Sequence, residues 1–145
     1  MFIGRYYHTL ETNGRVSLPK TFREQATNWI ITRGLDGGLF LFKESDFLEK
    51  VEELNQRTFT KKSNRDFIRL LTNEAQLITS DANGRVQLPE YLISQAQLSK
   101  QLVVVGSFDR IEIWDLQKYH LYIDQLEPQA ESLAEQIEIT TPHHD

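Results

Sequence analysis

Two stretches of the chain alternate apolar and polar residues with the period of a half-buried β-strand. Residues 16–18 read Val-Ser-Leu and residues 86–88 read Val-Gln-Leu, and a proline ends each stretch and opens a short helical turn. An Asn-Gly pair precedes each stretch, at 13–14 and 83–84. Such a pair favours a type I′ hairpin turn, in which both residues have φ > 0. The pattern therefore predicts a hairpin whose entering and leaving strands flank each pair.

The two stretches belong to an internal repeat. Residues 11–26 read ETNGRVSLPKTFREQA and residues 81–96 read DANGRVQLPEYLISQA, which agree at Asn, Gly, Arg, Val, Leu, Pro, Gln and Ala without a gap. Two apolar runs follow in each copy, at 30–34 and 39–42 in the first and at 102–106 and 111–114 in the second. Each copy is thus predicted to hold four short strands. Four short strands bury too little apolar surface to be stable alone, so the copies should pack together.

Amphipathic runs close each copy and join the two. In the first closing run, Asp46 and Glu49 fit a capping box, and in the joining run Ser63 fits a helix cap. The polar stretch that begins at Pro128 is expected to be a frayed tail. The predicted organisation has five parts: repeat 1 at 5–47 with its closing helix to about 56, a linker helix at 57–75, repeat 2 at 76–119 with its closing helix to about 126, and a polar acidic tail at 127–145.

Charge is distributed unevenly along the chain. The formal net charge is −5, which by itself disfavours nucleic acid as a partner. However, residues 1–33 contain five lysine or arginine residues against two acidic ones, and the acidity is concentrated in the C-terminal part. A basic face can therefore exist on an acidic protein.

The composition argues against several classes of protein. The sequence contains no cysteine, so it has no disulfide and no thiolate site, and no apolar run is long enough for a membrane span. The residues Met1 to Arg5 do not resemble a secretory signal, which favours a cytoplasmic location. The four histidines lack metal-site spacing, and the glycines do not form a phosphate-binding loop. We therefore expect no metal, no cofactor, no small-molecule substrate and no enzymatic activity.

A repeated motif carries a resemblance to a known family. Glu11-Thr12-Asn13-Gly14-Arg15 and Asp81-Ala82-Asn83-Gly84-Arg85 lie 70 residues apart, and Val-x-Leu-Pro follows each. With the start Met1-Phe2-x-Gly4 and the triplet His8-Thr9-Leu10, the chain up to about residue 126 resembles the MraZ family of bacterial transcriptional regulators, which have tandem SpoVT-AbrB modules. Two departures are visible: Glu11 stands where the family usually has aspartate, and Asn13 and Asn83 stand where lysine is common.

The resemblance implies both a fold and a function. The implied fold is α+β and mainly β, with two SpoVT-AbrB-like modules that form an interleaved, pseudo-dimeric β-barrel with flanking helices. The implied function is that of a sequence-specific, nucleoid-associated repressor of the division and cell-wall gene cluster, including its own promoter. The implied partners are double-stranded DNA with repeated boxes and further copies of the chain in a ring-like homo-oligomer.

The two motif arginines are the first candidates for DNA contact. Arg15 and Arg85 each present a planar fork that can hold a phosphate or the O6/N7 edge of guanine. The remaining motif residues are expected to organise the loops, and they are Glu11, Asn13, Gly14, Asp81, Asn83 and Gly84. The alternative is that both arginines only form intramolecular ion pairs that stiffen the protein.

Other basic residues could bind phosphates beside the first loop. They are Arg5, His8, Lys20, Arg23 and Arg33, and the alternative for each is a solvated surface position. The second copy has Glu90 and Ile93 where the first has Lys20 and Arg23, so the halves should be inequivalent. The basic side of the linker helix is better explained as a solvated face. For the whole chain, the competing function is a non-catalytic protein-interaction module, either antitoxin-like or a ring-forming scaffold.

Overall fold

The chain folds into two copies of one succession of strands and helices, joined by a helix. The structure, a computed structural model, describes residues 1–57 and 59–137. The first copy consists of β1 (Phe2–Thr9), β2 (Arg15–Ser17), α1 (Lys20–Arg23), β3 (Asn28–Arg33), β4 (Leu39–Lys43) and α2 (Glu44–Gln56). After the linker helix α3 (Lys62–Asn73), the second copy consists of β5 (Gln76–Thr79), β6 (Arg85–Gln87), α4 (Glu90–Gln95), β7 (Gln101–Phe108), β8 (Ile111–Asp115) and α5 (Leu116–Leu126). The prediction of four short strands in each copy is confirmed.

The strands form two antiparallel sheets. Six of them make one large sheet in the order β1-β7-β8-β4-β3-β5, and β2 pairs with β6 in a two-stranded ribbon. The fold is therefore α+β and mainly β, as expected. Pairing among the described residues leaves β1 and β5 at the edges of the large sheet, so the hydrogen bonds do not close it into a barrel.

The two copies exchange their first strands, β1 and β5. β1 pairs with β7 of the second copy along its whole length, from Phe2 opposite Phe108 to Thr9 opposite Gln101. Reciprocally, β5 pairs with β3 of the first copy. Hence the strand that enters each Asn-Gly turn does not pair with the strand that leaves it, and the prediction of two local hairpins is wrong. Alternation along a strand shows which face is buried, but it does not show which strand is the partner.

The core lies between the ribbon, the large sheet and the short helices. Val16 and Val86, which are paired in the ribbon, are both fully buried, and so are Trp29 and Ile31 of β3. The ring of Phe22 from α1 packs edge-on against Phe2, with 5.3 Å between the ring centroids. One face of the ribbon is thus fixed against a core that both copies build.

The helix ends differ from the predicted caps. α2 begins at Glu44 after Lys43, so Asp46 lies inside the first turn and not at a cap, and the Asp46–Glu49 capping box is wrong. α3 begins at Lys62, one residue before the predicted cap Ser63.

The tail is also more regular than expected. A 3-10 turn (Glu127–Gln129) and helix α6 (Ala130–Glu135) follow α5, so the expectation of a frayed tail is wrong for this part. The rest of the predicted tail, at 138–145, lies outside the described residues, together with His143 and His144.

Candidate nucleic-acid interface

The β2–β6 ribbon presents one polar face opposite its buried valines. Arg15 lies opposite Gln87 and Arg85 lies opposite Ser17. These four residues flank the buried valine pair and therefore share the outer face of the ribbon. Arg15 and Arg85 occupy diagonal positions, which in antiparallel pairs lie about 7–8 Å apart. The two motif arginines are thus neighbours on one small surface.

Each motif forms a tight turn at one end of the ribbon. The N–H of Gly14 donates to the carbonyl of Glu11 at 2.9 Å, and the N–H of Glu11 donates to the carbonyl of Arg15 at 2.9 Å. Residues 81–85 repeat both bonds. Gly14 and Gly84 have φ of +83° and +76°, but neither asparagine is among the described residues with positive φ. The turns are therefore not of type I′, and glycine alone provides the left-handed residue that each turn requires.

The acidic residue Asp81 organises the second turn. Its Oδ1 accepts hydrogen bonds from the backbone N–H of Asn83 at 2.9 Å and of Arg85 at 3.0 Å, and its Oδ2 accepts one from Arg85 Nε at 3.0 Å. The bond from the Arg85 backbone is the main cause of a pKa for Asp81 below its ordinary value. Asp81 therefore stays ionised and fixes both the turn and the arginine side chain.

The first turn is organised in a different way. The side chain of Asn13 accepts from the backbone N–H of Arg15 at 3.3 Å, in the place that Asp81 fills in the second turn. The carboxylate of Glu11 lies beside Arg85 of the other copy, with its Oε1 3.4 Å from Arg85 Nη1. A glutamate has one methylene more than an aspartate, which lets its carboxylate leave its own turn.

The two arginines consequently have different surroundings. The guanidinium of Arg85 is held between Asp81 and Glu11, and the hydrogen bond to Asp81 is the main cause of its raised pKa. The guanidinium of Arg15 has no hydrogen bond or ion pair within the described residues. The intramolecular ion pair that was the alternative interpretation is therefore present at Arg85 and absent, in the described part of the chain, at Arg15.

Arg23 extends from α1 onto the turn of the other copy. Its Nη1 donates to the carbonyl of Asn83 at 3.0 Å, and its side chain covers Gly84 so closely that a Cβ on that glycine would overlap the Arg23 Cδ. In the first turn Ile93 takes the equivalent place, 3.4 Å from a Cβ built on Gly14. The short helix of each copy thus supports the turn of the other, through a hydrogen bond in one case and through apolar contact in the other.

Two further predicted residues lie on the elements that flank the first turn. Lys20 is on α1 with a highly exposed side chain, 3.9 Å from Glu24. His8 is half-buried near the end of β1, and burial lowers its pKa, so the imidazole is neutral at neutral pH. Lys20 can therefore supply positive charge on α1, the helix whose Arg23 contacts the second turn, whereas His8 supplies none.

Arg5 and Arg33 are engaged elsewhere. Arg5 lies over the ring of Tyr119 at 5.0 Å from its centroid and 3.9 Å from Glu127. Arg33 is at the end of β3, with its Nε 2.5 Å from the Glu74 carboxylate. Arg33 lies six residues from Thr27, which lines the cavity beside the second turn. Six strand residues span about 20 Å, so Arg33 is far from the second turn, and its guanidinium is already paired with Glu74.

Comparisons with known proteins place the chain in a family. The family described as "MraZ protein, putative antitoxin-like" matches twice in tandem, over residues 1–70 and 71–141. The chain belongs to the MraZ family. A protein named transcriptional regulator MraZ from Pediococcus pentosaceus is 36% identical over 138 residues, which is 94% of this chain and 96% of the relative. Proteins of the same name from Moorella thermoacetica and Ligilactobacillus salivarius are 36% and 35% identical, over 94% and 93% of this chain and 96% and 95% of the relatives.

The sequence pattern did not indicate two residues of this candidate interface. Gln87 lies opposite Arg15, and its Nε2 donates to the carbonyl of Asn13 at 3.1 Å, which ties the second copy to the first turn. Ser17 lies opposite Arg85. The alternation of Ser17 and Gln87 with buried residues had indicated an outward face, but only the pairing of β2 with β6 puts these side chains beside the arginines.

The linker helix of this MraZ-family chain carries its own ion pairs. Lys62 and Arg69 both bind Asp66, at 2.6 Å and 2.9 Å, and Arg65 donates to the carbonyls of Phe59 and Thr60. Its basic side chains are thus partly neutralised. Among the described residues, no helix is long and apolar enough to cross a bilayer, and no group of three or more histidine or acidic residues is placed to hold a metal.

Proposed function

We propose that this chain is a sequence-specific, DNA-binding transcriptional regulator that contacts DNA with the outer face of the β2–β6 ribbon. The observation that carries the proposal is the guanidinium of Arg15 on that face, which has no hydrogen bond or ion pair among the described residues and lies beside Ser17 and Gln87, two residues that offer hydrogen-bonding groups. A two-stranded ribbon fits the major groove, where an arginine can bind guanine bidentately. The relatives named transcriptional regulator MraZ support regulation of transcription as the outcome.

The proposed assembly follows from the charge of this face. Basic side chains near the turns have acidic neighbours: Arg85 has Asp81 and Glu11, and Lys20 has Glu24. A single chain therefore has weak affinity for DNA, near the non-specific range of about 10⁻⁴–10⁻⁶ M. A ring-like homo-oligomer that binds repeated boxes would convert later contacts into intramolecular ones and raise avidity by ~10²–10⁴.

The exposed apolar side chains support association between chains. Phe108 is 69% exposed with a φ of +72°, and Ile3, close to it on the paired strand, is 64% exposed. A bulky residue with positive φ is strained, and exposed apolar side chains on neighbouring strands are compatible with an interface between chains.

We also propose the finer parts of the fold and of the biology. The two modules, at 5–47 and 76–119, form an interleaved pseudo-dimer of the barrel type, supported by the reciprocal pairing of β1 with β7 and β5 with β3. The chain acts in the cytoplasm, on the nucleoid, as a non-catalytic repressor of the division and cell-wall gene cluster and of its own promoter. The residues proposed to contact DNA are Arg15 first, then Lys20 and, more weakly, Arg85.

The test is binding of the full chain to DNA from upstream of its own gene. Affinity is measured at two salt concentrations against a scrambled duplex of the same composition. We expect tighter binding to the upstream DNA, and an affinity that falls as salt rises because binding releases counterions from the phosphates. Equal affinity for both duplexes, with assembly unaffected, would instead favour a protein-interaction module.

A further inference from the structure

Glu11 differs from its counterpart in the second copy in what its carboxylate binds. Asp81 accepts hydrogen bonds from the backbone of its own turn and from its own arginine. Glu11 does neither among the bonds of the described residues, and instead its two carboxylate oxygens lie 3.4 and 3.5 Å from Arg85 Nη1. Because Glu11 contacts Arg85, Arg85 has two acidic partners, and Arg15 has none among the described residues.

We propose that Glu11 is a positioning residue that holds Arg85 back from DNA, so that each chain reads DNA chiefly through Arg15. This inference rests on the proposed DNA-binding function, which it deepens by assigning unequal roles to the two turns.

The donors of Arg85 explain why it is held back. A guanidinium has five N–H donors, and bidentate binding of guanine or phosphate uses two adjacent ones. At Arg85, Nε donates to Asp81 and Nη1 to Glu11, so each bidentate edge of the guanidinium, Nε with Nη2 and Nη1 with Nη2, already has one donor atom engaged. A phosphate at either edge would also lie near a carboxylate, and this repulsion adds to the cost of contact. Among the described residues, no side chain engages the five donors of Arg15.

Three other features of this face do not account for the difference. Both arginines are on the same face of the ribbon, and both follow a turn with the same backbone hydrogen bonds. Burial does not distinguish the two arginines either, since Arg15 and Arg85 are both half-buried. The two arginines therefore differ in their acidic neighbours: Arg85 lies beside Asp81 and Glu11, whereas Arg15 has no acidic partner among the described residues.

The test is a double-mutant cycle on DNA from upstream of the chain's own gene. The cost of Arg85→Ala in affinity is measured in the wild-type chain and in Glu11→Gln. Because Asp81 still holds Arg85, the release is partial, and we expect Arg85→Ala to cost about twofold to fivefold more in the Glu11→Gln background, the range of a single exposed ion pair. The salt slope of Glu11→Gln should also steepen, by up to about 0.9 for one added phosphate contact.

Glu90→Gln is the matched control. Glu90 lines the same cavity as Glu11 and also carries one negative charge, but it has no ion pair with the described residues. The cost of Arg85→Ala should be the same in Glu90→Gln as in the wild type. Thermal melting of each variant confirms that the chain is folded before DNA is added.

The outcomes separate this inference from the function on which it rests. A wild-type chain that binds upstream DNA no better than scrambled DNA overturns the proposed function. If the wild-type chain binds specifically but Arg85→Ala costs the same in the wild-type and Glu11→Gln backgrounds, or if Glu90→Gln shifts that cost equally, only the role of Glu11 is overturned. A larger cost confined to Glu11→Gln supports it.

Discussion

Arg15→Ala is the most informative single substitution in this protein. Because the Arg15 guanidinium has no polar partner within the described residues, its removal breaks no hydrogen bond or ion pair among them. We expect the free energy of unfolding to change by no more than about 0.5 kcal/mol. Arg85→Ala is the matched comparison, since it leaves the carboxylates of Asp81 and Glu11 close together without their shared cation.

The loss in DNA affinity can be estimated from the single contact that disappears. A bidentate contact from arginine to guanine is worth about 1–3 kcal/mol, which is roughly fivefold to 150-fold in affinity. If several chains of one assembly bind several boxes, each chain loses the contact at once. A loss of about tenfold for one box then becomes about a hundredfold for two boxes, because the free energies of linked sites add.

The assay compares upstream DNA fragments that carry one, two or three boxes, for the wild type, Arg15→Ala and Arg85→Ala. We expect wild-type affinity to rise with the number of boxes, and the ratio of wild-type to Arg15→Ala affinity to rise with it. Arg85→Ala should have the milder effect on binding. Equal wild-type affinity for one and three boxes would refute the multivalent mechanism. A folded, assembled Arg15→Ala chain that binds three boxes normally would remove Arg15 from the interface.

Three more predictions concern supporting residues. Arg23→Ala should weaken DNA binding because Arg23 holds the carbonyl of Asn83, and the slope of log affinity against log salt concentration should not change. A slope reduced in magnitude by about 0.9 would instead show that Arg23 binds phosphate. Thr32→Val should lower the free energy of unfolding by about 1–3 kcal/mol in urea titrations, because the buried hydroxyl donates to the carbonyl of Leu71 at 2.7 Å; an unchanged midpoint would contradict this. Burial alone raises the pKa of Asp115, but hydrogen bonds to its carboxylate outweigh burial and the pKa is lowered. The stabilisation from this carboxylate is therefore complete above about pH 4 and is lost as the pH falls. Asp115→Asn should reduce the difference in the free energy of unfolding between pH 7 and pH 3, and a pH profile identical to that of the wild type would contradict this.

The repeat allowed the strands and helices of each copy to be predicted, but not how the strands of the two copies pair. Alternation at 16–18 and 86–88 correctly indicated strands with one buried face, because burial of every second residue is a local property of the sequence. Strand pairing is set by the whole core, and here the first strand of each copy pairs with the third strand of the other. An Asn-Gly pair favours a local hairpin only when its two strands have no better partners.

In the candidate site, too, a contact within one turn could be predicted from the sequence, but a contact between the two copies could not. An acid four residues before an arginine suggested a bond within each turn, and this is what Asp81 and Arg85 form. The same spacing fails for Glu11 and Arg15, because the diagonal of the ribbon brings Arg85 within reach of the longer glutamate side chain. The contact between Glu11 and Arg85 depends on the β2–β6 register, which no local sequence pattern reveals.

Joining the two copies in one chain is what allows the two turns to differ. In a dimer of identical modules, any substitution in the short helix would face both turns, so an arginine that supports one turn would have to support the other. Here Arg23 covers Gly84 and donates to Asn83, while Ile93 covers Gly14. The second turn is therefore held by Arg23 and by the carboxylate of Asp81, and the first by the apolar contact of Ile93, the amide of Asn13 and a hydrogen bond from Gln87. Within the described residues one arginine of this face is held by two carboxylates and the other has no polar partner, so the face has lost the two-fold symmetry of its backbone. Under the proposed function, its two ends should therefore contact DNA differently.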